Sequence, residues 1–120
     1  MLAARMMERV RVELDTFLAM VRPEPSQRQH MDISYQLNET AFVLHVHKRA
    51  ENAGVLTPHA CLKAVHSEDP EGWLLYVPDS DGHWVAYQEL VYATELADVL
   101  LAAHTLLPEV EAPGQMDLAC

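Results

Sequence analysis

The strongest constraint on the fold is an alternation of residue type around a loop in the second half of the chain. Residues 72–90 read GWLLYVPDSDGHWVAYQEL, and apolar or aromatic side chains alternate on both sides of the centre. A pattern of period two predicts two antiparallel strands joined by a short connection. The centre, Pro78-Asp79-Ser80-Asp81-Gly82, has the Pro, Asp and Gly that turns use. We therefore interpret it as a plain hairpin loop.

Two stretches of helical spacing flank the alternating part of the chain. Over residues 3–21, apolar side chains recur at steps of three and four, and Pro23 follows the last of them. A second stripe covers residues 96–106, with Thr94 as the predicted N-cap and Pro108 at its end. The sequence therefore predicts one amphipathic helix near each end.

Three further strands are predicted between the first helix and the central hairpin. Residues 32–49, DISYQLNETAFVLHVHKR, alternate in two runs that Asn38-Glu39-Thr40 separates, which predicts a hairpin. Residues 59–66, HACLKAVH, predict a third strand in which Ala60, Leu62 and Ala64 share one face.

These elements predict an α+β fold with a single core. The order is an N-terminal helix, a five-stranded antiparallel meander and a C-terminal helix, with both helices packed on one sheet face. We expect a single domain over residues 1–107, because 120 residues bury enough surface for one core. Residues 108–120, PEVEAPGQMDLAC, lack periodicity and are expected to form a flexible acidic tail.

Charge is distributed unevenly along the chain. The formal net charge is −10, all eight Lys and Arg residues lie within the first 63 positions, and eleven of the 18 acids follow Ala64. We expect no direct nucleic-acid binding by the second half, because phosphate binding depends on Lys and Arg. A protein partner with a basic surface suits it better. The acids chosen as partner-binding candidates are Asp79, Asp81, Glu89, Glu95 and Asp98.

The sequence contains few signals for a cellular compartment or for a cofactor. No apolar run is long enough to span a bilayer and no signal-peptide block is present, so a cytoplasmic protein is expected. Cys61 and Cys120 form no ligand pattern or disulfide framework and are interpreted as reduced thiols. Scattered glycines and the absence of a nucleophile motif argue against nucleotide chemistry and against an enzyme, and no cofactor is predicted.

Two metal-binding patterns were considered. The run from Asp79 to Gly82 resembles the start of a calcium loop, but the glycine comes too early and position twelve is Leu90. His45 and His47 are two residues apart in a predicted strand and so share one face, from which they could hold a metal. A zinc site needs three or four ligands, and the solvated sheet face is the simpler interpretation of this pair.

The chain resembles a bacterial family of small α+β proteins, the domain of unknown function 3024. The most specific residues are at the central hairpin: Trp73, Leu75, Tyr76, Asp81, Gly82, Trp84 and Tyr87. After the second strand the family tends to carry a Glu-Arg-Pro-like step, whereas this chain has His47-Lys48-Arg49-Ala50. The resemblance implies the fold and no known activity.

Three functions remain open from the residues alone. The leading prediction is a non-enzymatic, acidic protein-interaction module. The second is an inhibitor or immunity-type protein whose acidic surface occupies a basic, nucleic-acid-binding groove of its target. The third is a metal-binding protein that uses the histidines of the sheet face. The sequence leaves the oligomeric state open.

Overall fold

The chain folds as a helix, an antiparallel sheet and a second helix. The computed structural model describes residues 2–28, 30–49 and 56–107. The elements are α1 (Ala4–Val21), a short 3-10 turn (Pro25–Gln27), β1 (Met31–Leu37), β2 (Ala41–Arg49), β3 (Leu56–Glu68), β4 (Glu71–Pro78), β5 (Trp84–Ala86), β6 (Tyr92–Ala93) and α2 (Leu96–Leu106). The predicted tail, 108–120, lies outside the described residues.

The sheet is an antiparallel meander in which neighbours in sequence are neighbours in space. Its order is β1-β2-β3-β4-β5, and β6 pairs with β4 beside β5. The predicted α+β fold with a five-stranded antiparallel sheet is confirmed, and β6 is a two-residue addition that the sequence did not indicate. Within the described residues, no helix is long and apolar enough to cross a membrane.

Both helices contribute to one core on one side of the sheet. We call this side the inner face and the opposite side the outer face. Apolar side chains of both helices and of β1 to β4 join a single cluster. The largest fully buried side chains are Phe42, Leu14, Ile33, Leu44, Leu62, Leu75 and Val99. Each lies in a stretch whose periodicity predicts a helix or a strand.

The central hairpin forms as the alternation predicts. β4 and β5 pair antiparallel, and Trp73 of β4 is 2% exposed on the inner face. The Trp73 ring meets Phe42 edge to face, with centroids 5.4 Å apart. In the loop, Gly82 has φ of 85°, a left-handed conformation that glycine adopts without a steric penalty.

The third strand departs from the predicted alternation. β3 begins at Leu56, before the predicted start, and its register with β2 shifts between Leu44 and His45. Leu44 faces Leu62 whereas His45 faces Ala60, so Cys61 is an extra residue on β3. The prediction that Ala60 shares a face with Leu62 is therefore wrong, because a bulge resets the alternation.

The start of α2 also differs from the prediction. Glu95, with extended backbone angles of φ −110° and ψ 137°, occupies the N-cap position, and its side chain makes no capping hydrogen bond. Thr94 is therefore not the N-cap. The reason is β6, which keeps the chain extended until shortly before the helix begins.

Candidate functional site

An open apolar groove lies between the two helices. It has a volume of about 560 Å³, and its apolar lining comes mainly from the second half of α1 and the middle of α2. Met20 and Leu101 are the most exposed large apolar side chains there, at 79% and 68%. We call this feature the helix groove. Its apolar lining residues are Phe17, Met20, Val21, Ala97, Leu100 and Leu101.

The helix groove exists because each helix carries apolar residues outside its buried stripe. Val10, Leu14 and Phe17 of α1 are buried against the sheet, whereas Met20 lies on the exposed side. On α2, Val99 and Ala103 are buried, and Leu101 is turned away from the sheet. Both helices therefore bury one stripe and expose part of a second.

One acidic side chain lines the groove itself, and two more lie in a neighbouring recess. Glu13 lines the groove from α1, and His104 lines it from the last turn of α2. On the other side of Leu101 is a smaller recess that contains Glu89 and Asp98. Leu101 lines both hollows, so it is an apolar ridge between acidic margins. No Lys or Arg is among the residues that line either hollow.

Glu89 is held in place by a neighbour. The Tyr87 hydroxyl donates a hydrogen bond of 2.9 Å to Glu89 Oε2. This bond raises the pKa of Tyr87, with burial and the carboxylate charge as lesser causes. This bond orients the Glu89 carboxylate, which lines a recess together with Asp98 and Leu101 of α2.

The five acids predicted to meet a partner divide into three groups. Glu89 and Asp98 lie together beside the helix groove. Asp79 and Asp81 lie on the β4–β5 loop, and Glu95 lines a polar recess that also contains Glu13 and Glu71. The structure therefore associates two of the five, Glu89 and Asp98, with an apolar surface.

Hydrogen bonds within the β4–β5 loop account for its conformation. Asp79 Oδ1 accepts the backbone N–H groups of Asp81 and His83, each at 2.9 Å. His83 Nδ1 lies 3.9 Å from the other oxygen of Asp79. Asp79, Asp81 and His83 place their ligand atoms within 4.8 Å of one another, but all three side chains are exposed. An Asx turn accounts for this arrangement without an ion.

The two histidines considered as metal ligands lie side by side on the outer face. The rings of His45 and His47 have centroids 6.5 Å apart. Ser34 Oγ lies 2.6 Å from His47 Nε2, so one ring nitrogen of His47 is already hydrogen bonded. Burial lowers the pKa of His45, and the nearby His47 lowers it further. Among the described residues, no third Cys, His or acid joins this pair in a ligand cluster.

Cys61 is shielded rather than reactive. It is a free thiol at the β3 bulge, partly buried against the core. Burial raises its pKa to about 11, so the thiolate is scarce at neutral pH. Cys61 therefore serves as packing, as its place in an apolar strand suggests.

Sequence reasoning did not identify the helix groove, although a signal for it exists. Met20 and Leu101 are apolar residues outside the stripes that predict the buried faces of the helices. Single exposed apolar residues are common on protein surfaces. Only the packing of α1 beside α2 shows that these two residues flank one groove.

Comparison with known proteins supplies a family and no activity. A family model described as a domain of unknown function, DUF3024, matches residues 3–104. Comparison with curated proteins and with solved structures gives no significant match.

Proposed function

The chain belongs to the DUF3024 family, a domain of unknown function, and from its helix groove we propose that it is a non-enzymatic protein-interaction module. The observation that carries this proposal is the pair of exposed apolar side chains, Met20 and Leu101, in one groove with acidic margins. Burying such a side chain fully contributes about 1.5 to 3 kcal/mol. A partner that covers both gains about 3 to 6 kcal/mol, and further contacts along the groove must offset the freedom lost on association.

The chemistry of the groove selects an amphipathic helix with basic flanks as the partner segment. A groove between two helices accepts the apolar face of a third helix at spacings of three and four residues. Glu13, Glu89 and Asp98 border the apolar lining, so Lys or Arg beside the apolar face would meet opposite charge. We therefore propose that Glu89 and Asp98, two of the acids predicted to contact a basic partner, do so at this border of the groove.

The test uses a designed peptide, because it controls charge and apolarity separately. The probe is a fluorescent amphipathic peptide of about 18 residues with Leu on one face and Lys on the other. We expect Leu101→Asp or Met20→Asp to weaken its binding at least tenfold. The matched control is Val12→Asp, because Val12 is 55% exposed on α1 and does not line the groove.

Charge reversal tests whether the acidic residues beside the groove contribute to peptide binding. We expect Asp98→Lys and Glu89→Lys together to slow association and to flatten its dependence on salt, since rim charges act on encounter. Asp79→Lys with Asp81→Lys is the matched pair on the β4–β5 loop, where these two residues line neither hollow, and should change binding less. Peptide binding that is equal in all apolar variants would contradict the groove.

The same experiment separates the inhibitor or immunity-type role. A purely acidic decoy for a basic groove depends on charge and not on an apolar ridge. If Leu101→Asp has no effect while every acid reversal weakens binding steeply, the decoy role becomes the better proposal. The metal-binding role requires a third ligand for His45 and His47, and no observation favours it over the groove.

A further inference from the structure

The outer face of the sheet has an apolar patch where its central strands meet. Strand pairing places Val43, Lys63 and Tyr76 in one row across the sheet, and Val65 and Leu74 in the next. Trp84 of β5 lies beyond Tyr76 and pairs with Pro78. We call Val43, Val65, Leu74, Tyr76 and Trp84 the outer patch. All five side chains are partly exposed.

This composition differs from that of a sheet face adapted to water. An antiparallel sheet with one solvated face normally alternates apolar-in with polar-out. β1 follows this rule, since its outward residues are Asp32, Ser34 and Gln36. Across β4 the rule fails, because Leu74 and Tyr76 point outward, and on β3 Val65 points outward between Lys63 and Ser67. The outer patch is therefore more apolar than the outward side of β1, while α1 and α2 cover only the inner face.

The distribution of acidic residues favours the outer face as the contact surface for a second copy of this chain. The chain carries a net charge of −10, so two copies repel over most of their surface. In the strands that the structure describes, Asp32 is the only acid at an outward position. Its carboxylate is held by Arg22, with Nε to Oδ1 at 2.7 Å. Two outer faces can therefore meet without opposing unpaired acids.

Lys63 is compatible with such a contact. Its ammonium nitrogen lies 5.9 Å from the centre of the Trp84 ring, a cation–π distance. The side chain therefore extends from β3 across β4 towards β5, and its charge lies away from Val65 and Leu74. The methylene stem adds apolar surface to the outer patch.

The size of the face suits a weak association. The five strands β1 to β5 have 7, 9, 13, 8 and 3 residues, and at about 3.3 Å along a strand and about 4.8 Å between strands they give the whole outer face a footprint of roughly 600 Å². Two such faces, with the outer patch as their apolar part, bury about 1,200 Å² in total, close to the lower limit for a specific interface. We propose that two copies of this chain associate through their outer patches as a twofold symmetric dimer, sheet against sheet, with a dissociation constant in the micromolar range.

Sedimentation equilibrium of the full chain tests this proposal over about 1 to 500 µM, which brackets a micromolar constant. We expect the mass to rise from 13.5 kDa to twice that value as concentration increases. Tryptophan emission should move to shorter wavelengths in parallel, because Trp84 becomes covered while Trp73 is already buried. A mass that stays at that of one chain throughout overturns the proposal.

Variants locate the interface. Val65→Lys and the milder Leu74→Thr should remain monomeric where the unmodified chain is dimeric, with unchanged circular dichroism as the check on folding. Leu101→Asp, on the opposite side of the molecule, should still dimerise. If Leu101→Asp abolishes the dimer and the two outer-patch variants do not, the proposal is overturned. The helix groove and the outer patch are separate surfaces, so either proposal can fail alone.

Discussion

The side chain of Tyr92 lies directly over Gly72. Its hydroxyl donates a hydrogen bond to the carbonyl oxygen of Glu71, and its ring occupies the space that a Cβ on residue 72 would need. Such a Cβ would also meet the carbonyl oxygen of Ala93. The close approach joins β6 to the start of β4, where Trp73 pairs with Ala93. Glycine at position 72 is therefore required by contact rather than by backbone angle.

The first prediction concerns this contact. Gly72→Ala should lower the free energy of unfolding by about 1 to 3 kcal/mol, because both the tyrosine and a backbone oxygen must shift. Chemical denaturation monitored by circular dichroism measures it. Gly82→Ala is the matched control, since nothing lies within 4 Å of its Cβ position and only its φ of 85° opposes the change. Its expected cost is about 1 kcal/mol. Equal stability of Gly72→Ala and the unmodified chain would contradict the contact.

The second prediction concerns His66, whose ring meets Trp73 edge to face with centroids 5.0 Å apart. Both ring nitrogens are buried, and neither has a hydrogen-bond partner among the described residues. A buried unsatisfied polar atom costs about 1 to 3 kcal/mol. His66→Phe keeps the aromatic contact and removes both nitrogens, so we expect thermal stability to rise.

His59→Phe is the control for this change, because His59 is exposed and should gain nothing. A loss of stability in His66→Phe would contradict this prediction.

The third prediction concerns the ion pair between Arg22, just after α1, and Asp32 of β1. The two parallel hydrogen bonds are 2.7 and 2.8 Å long, and they hold the pKa of Asp32 below its usual value. Asp32 therefore contributes stability above the pKa of the unfolded chain and loses it as pH falls through the lower folded value. The pair is partly exposed, so Asp32→Asn should cost only about 0.5 to 1 kcal/mol at neutral pH.

Urea denaturation at several pH values measures this cost. The difference between Asp32→Asn and the unmodified chain should vanish in strong acid, where the carboxyl is protonated in both states. Asp81→Asn, which changes an exposed loop carboxylate, is the control. A difference that does not depend on pH would contradict the ion pair as its cause.

The fourth prediction concerns the hydrogen bond that ties α1 to β1. The Tyr35 hydroxyl donates to Asp15 Oδ1 at 2.6 Å, and burial together with this bond raises the pKa of Tyr35 to about 12. Asp15→Asn removes the negative charge and should lower that pKa, although burial keeps it above the ordinary value. Ultraviolet titration of the tyrosines, with Tyr35→Phe to assign the last step, measures the shift. If the titration step at the highest pH is the same in Asp15→Asn as in the unmodified chain, the hydrogen bond between Tyr35 and Asp15 is contradicted.

Much of this fold follows from local patterns of the sequence. The alternation around Pro78 to Gly82 predicts the β4–β5 hairpin, which the structure contains, with Trp73 buried on the inner face. The stripe containing Leu14 predicts the buried side of α1. These predictions succeed because burial on one face imposes a period on the sequence.

Other features depend on contacts between distant segments. The bulge at Cys61 appears only when β3 is paired with β2, because its apolar neighbours fit either register. β6 has two residues, too few to carry a pattern, and it is fixed by β4 and by the contact of Tyr92 with Gly72. Met20 and Leu101 share a groove only after both helices pack on the sheet. The residues of a surface site are thus visible in the sequence, whereas their association is not.

Because β3 is longer than β4, parts of the sheet differ in how easily their strand hydrogen bonds open. β4 pairs with β3 only from Lys63 to Glu68, whereas β2 pairs with β3 from Leu56 to Val65. In the described part of the chain, residues 56–62 of β3 therefore pair with β2 alone, residues 63–65 pair with both neighbouring strands, and residues 66–68 pair with β4 alone. Amide protons exchange fastest where local opening breaks the fewest contacts. The end of the β2–β3 ladder near Leu56 can thus open locally while the amide protons around Phe42 and Leu75 remain protected from exchange. One end of the sheet is therefore less stable to local opening than its centre.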